Sequence, residues 1–350
     1  MYATISEFIT ADERDALKES EVGERPHPII ELLLREDGKS QQATNTQRAL
    51  KHISSADEQW LDKLKPRLLG PNAIEVASAL AELRAYGSLL EAGYRVIPIP
   101  TDPIKPTPDF TISDGGEEVI VEVHAKQFYE ETEKNLETHS KWVAEQPKSP
   151  GVTSYVHAIY PFGKPQPGKP GDTTTTNAIS RLCQIKQRGH QFTAGKPSIL
   201  WLDFQDLHTG NMSLTAEQFQ PVLSSREHLT SGALWYAWYG WKGAPVFEQC
   251  HYSHLDLPSQ IQFMGHDGRF RQPSKPSAVV MSLPSATMLA ESPEGGHQLP
   301  PSIRLRYLGL PWAGIQHSIA EWSSGLVGKT LSRDTALICA FHGAASAPPI

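Results

Sequence analysis

Asp109-Phe-Thr-Ile-Ser-Asp-Gly-Gly-Glu-Glu-Val-Ile-Val-Glu-Val123 has alternating or β-branched residues on both sides of Asp114-Gly115-Gly116. That is the pattern of a β-hairpin around a tight two-residue turn. Across such a turn the facing residues have a constant index sum. With Gly115-Gly116 as the turn, Asp114 opposes Glu117, Ile112 opposes Val119 and Asp109 opposes Glu122, with Cβ atoms roughly 4.5–5.5 Å apart. With Asp114-Gly115 as the turn, Glu122 becomes diagonal to Asp109 on the same face. The strand continues as Val121-Glu-Val-His-Ala-Lys126. A period of two puts Glu122, His124 and Lys126 on the face of Asp109, and turns Val119, Val121 and Val123 toward the core.

Upstream, Asn72-Ala-Ile-Glu75 reads as an N-cap with a reciprocal Glu, opening an Ala- and Leu-rich helix that ends at Gly93. Tyr94–Ile99 is expected to be a strand, and the Pro-rich segment Pro98–Pro108 turns the chain outside the sheet interior. Downstream, 145–176 is rich in Pro, Gly and Thr and reads as a long loop with a strand at Tyr155–Tyr160. A helix over Asn177–Phe192 follows, then a buried strand at Ser198–Phe204 and further strands at Ala233–Tyr239 and Ala278–Leu283. Residues 1–70 are polar and helix-like, with periodic pieces at Ile29–Leu34 and Trp60–Leu69. The fold expected is α/β, a mixed central sheet with flanking helices: an N-terminal helical extension over 1–70, a core domain over 71–295, and a C-terminal extension over 296–350 whose GAASAPPI end is loose.

The chain has 350 residues, enough for one large core or two modest ones. It lacks the roughly 18 uninterrupted apolar residues of a membrane span. MYATISEFITADER carries acidic residues where a secretory signal has a basic start, so a cytoplasmic location and no membrane partner are expected. Cys183, Cys250 and Cys339, odd in number and widely spaced, form no disulfide framework. The net charge of −7 argues against coating DNA non-specifically. A local basic surface remains available: 173–202 contains no Asp or Glu but has Arg181, Lys186, Arg188 and Lys196, which read equally as a solvated helix face.

Opposed carboxylates destabilise a strand pair unless something neutralises them. The hard cation Mg²⁺, or Mn²⁺, is held by one or two carboxylates plus water and phosphate oxygens, and so suits Asp109 and Glu122. Pro108-Asp109 followed on the next strand by Glu122-Val-His124 resembles the PD-(D/E)XK nucleases, which place Asp and Glu-x-Lys on adjacent antiparallel strands. The resemblance covers about 73–204. It implies a restriction-endonuclease-like or resolvase-like core, phosphodiester hydrolysis with Mg²⁺ or Mn²⁺, metal binding by Asp109 and Glu122, and assistance from Glu82 on the preceding helix. It further implies nucleic-acid contacts from Lys186, Gln187 and Gln191, to which the basic stretch adds Arg188, with DNA favoured over RNA as partner and a homodimer where both strands are cut.

The chain departs from the pattern at His124, which stands where the family has lysine. Three alternatives follow: Lys126 reaches back from one step further along, His124 acts as a general base in its place, or the fold persists as a catalytically inactive nucleic-acid-binding module. Singly, Asp109 also reads as a turn acid, Glu122 as an exposed edge position, Glu82 as a solvated helix residue and His124 as a satisfied sheet histidine. Cys250-His251-Tyr-Ser-His254 with His266 suggests zinc but lacks a second ligand pair. Trp235-Tyr-Ala-Trp238-Tyr-Gly-Trp241 suits base stacking or, more commonly, strand packing.

Overall fold

The computed structural model describes residues 2–19, 26–36, 40–100, 102, 104, 107–126, 138, 160, 162–169, 171–183, 196–206, 216–219, 222–225, 227–251, 261–272, 276–292 and 298–307. Lys186, Gln187, Arg188 and Gln191, residues 155–159 of the expected strand and the C-terminal tail lie outside them. The N-terminal part is helical: α1 (Ile5–Phe8), α2 (Ala11–Glu19), α3 (Pro28–Leu34), α4 (Gln41–Ala56) and α5 (Glu58–Leu68). The long helix α6 (Ala73–Glu91) starts where the Asn72 side chain accepts from the Ile74 and Glu75 amides at 3.0 and 3.3 Å. Just past its end, Gly93 has φ +83°, the left-handed conformation that closes helices.

Next come β1 (Arg95–Pro98), β2 (Phe110–Asp114) and β3 (Glu117–Ala125), then α7 (Thr174–Cys183) and β4 (Ser198–Asp203). β5 (Val222–Ser225), β6 (His228–Ser231), α8 (Ala233–Tyr239), β7 (Pro245–Val246), β8 (Cys250–His251) and β9 (Gln262–Phe263) follow. β10 (Ala278–Ser282), β11 (Thr287–Glu291) and α9 (Pro301–Tyr307) complete the described elements. The main sheet has six strands in the order β1-β2-β3-β4-β10-β11. It is mixed: β3, β4 and β10 run parallel, and the remaining pairs are antiparallel.

Alternation along the strands splits the core into two layers. Val119, Val121, Ile199, Trp201, Ala278 and Val280 face α1–α6, while Leu200, Leu202, Val279 and Met281 face α7 and α8. Helices therefore cover both faces, as parallel strands require. The N-terminal helices share the first core: Ile5, Leu50 and Leu61 belong to one buried cluster with the sheet residues Phe110 and Trp201.

The sequence reading of Ala233–Tyr239 as a strand is corrected: the segment is a helix between Gly232 and Gly240. All seven residues are buried, so no polar stripe marks a helical period, and a short apolar run reads the same either way. This burial also removes Trp235 and Trp238 as stacking platforms. The helix at Asn177 begins three residues earlier than expected, at Thr174.

Candidate metal site on the central hairpin

The hairpin turns at Gly115-Gly116, with φ +63° and +98°, and Asp114 pairs with Glu117 and Phe110 with Val121. Extending that register by one residue sets Asp109 against Glu122. Glu122 is 4% exposed on an internal strand between β2 and β4, not at an exposed edge position. It lies one step from His124 along the same face, with His124 Nε2 3.4 Å from Glu122 Oε1. That face carries Leu200 and Leu202 beside it and looks toward α7 and α8.

Asp109 departs from a simple shared face. Its Oδ2 accepts from the Val123 amide at 2.7 Å, so the carboxylate continues the ladder at the strand edge rather than standing out over one face. There it feels acids from both layers. Burial, then repulsion from Glu122 and from Glu82, raise its carboxyl to about 8, against the pull of the Val123 amide and of Arg67.

Glu82 belongs to α6, in the layer opposite the face of Glu122. Its carboxylate is gripped by Arg67 of α5 through two bonds of 2.7 and 2.8 Å. Lys126 lies one residue beyond β3, and its amide donates to the Asp203 carbonyl at 2.8 Å. Burial pushes its ammonium down to about 8. The structure therefore gathers Glu82, Asp109, Glu122 and His124 around the start of β2.

Among the described residues, no three or more His, Cys, Asp or Glu side chains are assembled as a ready metal-holding group. Two repelling carboxylates are a smaller donor set, and they fit a hard divalent cation that keeps several of its waters. Asp109 and Glu122 would hold it.

Sequence reasoning did not reach the neighbouring buried network. Arg84 of α6 donates to Asp203 Oδ2 and Oδ1 at 2.9 Å each and to Asp206 at 2.7 Å. Gln42 also bonds Asp206, and Asn45 bonds Gln205 at 3.1 Å. The signal was present: one arginine in an Ala- and Leu-rich helix, and one aspartate ending the apolar strand SILWLD.

No family model, curated protein or solved structure matches this chain. Among the described residues, no helix is long and apolar enough to cross a membrane.

Proposed function

We propose that the chain is a divalent-metal-dependent nuclease with a PD-(D/E)XK, restriction-endonuclease-like core, hydrolysing phosphodiester bonds in DNA with Mg²⁺ or Mn²⁺. The observation that carries this is the opposition of Asp109 and Glu122 on adjacent strands, close enough that Glu122 helps raise the Asp109 carboxyl. The order α6, β1, β2, β3, α7, β4, with β4 parallel to β3, supports it because the family core follows the same helix, meander, helix, strand sequence.

When bound, such a cation supplies Lewis-acid stabilisation of the phosphodiester transition state and lowers the pKa of its water. The chain's own part is to hold the cation through Asp109 and Glu122 and to keep His124 beside Glu122, where an imidazole can take up a proton.

Specific observations favour a second reading, a nuclease-fold binding module without catalysis. Glu82 is committed to Arg67, and His124 replaces the family's lysine. One experiment separates the two. Full-length protein is incubated with supercoiled, linear and single-stranded DNA and with RNA, in Mg²⁺, Mn²⁺ or EDTA. The nuclease reading expects cleavage that needs metal and is lost in Asp109→Asn and Glu122→Gln. Metal-independent binding without cleavage of any substrate would leave the binding module, and neither binding nor cleavage would remove both.

A further inference from the structure

The small sheet β5-β6-β8 lies outside the site described above and carries two histidines in register. His228 of β6 pairs with His251 of β8, and their ring centroids are 5.2 Å apart with an interplanar angle of 83°. Both reach solvent: His228 is exposed, and 34% of the His251 side chain is accessible. Glu227 Oε2 lies 2.9 Å from His251 Nε2, a carboxylate to imidazole contact that fixes the ring's orientation.

We propose that His228 and His251 form a cross-strand chelate for a borderline divalent cation, Zn²⁺, Ni²⁺ or Cu²⁺, with water completing the shell. Imidazole nitrogens suit these ions, whereas Mg²⁺ and Mn²⁺ prefer carboxylate oxygen. His251 of the Cys250-His251 motif thus has a partner on the neighbouring strand, while His254 lies outside the described residues. The adjacent thiol takes no part: Cys250 points the other way, into a buried cluster with Leu229, Phe247 and Ile261. His266 is on a separate turn after β9, with Nδ1 3.3 Å from the Asp267 carbonyl. Among the described residues the β6–β8 ladder has two residue pairs, His228 with His251 and Leu229 with Cys250. A cation held by both rings ties those strands together.

This site is independent of the nuclease reading, and its test is binding. Full-length protein is titrated with Zn²⁺ by calorimetry in the presence of excess Mg²⁺, and Cu²⁺ binding is followed by its visible absorption. One ion per chain is expected. His228→Ala and His251→Ala should each abolish it with the circular dichroism spectrum unchanged, while the double variant Asp109→Asn with Glu122→Gln should bind as wild type does. The proposal is overturned by a wild type that does not bind, by binding that survives either histidine substitution, or by binding lost with the carboxylates.

Discussion

Asp109 reaches neutral pH with a proton still on its carboxyl, because burial and two neighbouring acids hold its titration near 8. Between the ordinary carboxylate value of 3.8 and about 8, the folded chain binds a proton that the unfolded chain has released. Metal-free stability should therefore fall as pH rises through that window and level off above it, and Asp109→Asn should flatten the profile; unfolding midpoints at several pH values check the slope. A cation must displace the same proton, so apparent Mg²⁺ affinity should climb about tenfold per pH unit up to about pH 8. Calorimetric titrations that gave one affinity throughout would reject a protonated Asp109. At His124 the expected outcome is a gain: His124→Lys, which restores the family pattern beside Glu122, should raise metal-dependent cleavage, measured on supercoiled DNA. Lys126→Ala should leave most of that cleavage intact, because His124 already stands 3.4 Å from Glu122 Oε1; abolished cleavage would show that Lys126 reaches back.

α4 and α6 cross closely at Gly87. A Cβ there would sit 2.3 Å from the Ala49 Cα and 2.8 Å from its carbonyl oxygen, so backbone and not a flexible side chain would have to move. Gly87→Ala gains helix propensity, yet the forced separation should dominate and destabilise the fold by about 1–3 kcal/mol. Urea unfolding measures this, and a variant as stable as wild type would mean that the helices part without cost. The hairpin is secured differently. Arg306 of α9 donates to both Asp114 oxygens, at 2.6 and 2.8 Å, and to the Gly93 carbonyl at 2.9 Å, so α9 holds the turn and the end of α6 together.

Across the whole molecule, Arg84 and Asp203 join the helical layer to the carboxyl ends of the parallel strands, and both are essentially excluded from solvent. Burial opposes the guanidinium charge, but the attraction of Asp203 and Asp206 outweighs it, and Arg84 titrates above its ordinary value. Removing one partner strands the other charge in the core. Arg84→Ala should cost about 3–5 kcal/mol in chemical denaturation, and Arg84→Met with Asp203→Leu should recover part of that loss. A single variant within about 0.5 kcal/mol of wild type would mean that water reaches the pair and the site is open.

Local chemistry was enough for much of the organisation. Asn72 and Gly93 bound α6, two glycines with positive φ set the turn, and the index sum across that turn brought Asp109 opposite Glu122, because each depends on neighbours within a few residues or on strand parity. Parity could not foresee that the Asp109 carboxylate bonds the Val123 amide at the strand edge, nor that Glu82 is taken up by an arginine fifteen residues earlier in the chain. The helix at Ala233–Tyr239 was illegible because burial on every side erases the polar face that reveals a helical period. The Arg84 network and the His228–His251 pair join residues 119 and 23 positions apart in the chain. Such pairings are decided by which strands and helices pack together, a choice that only the tertiary structure makes.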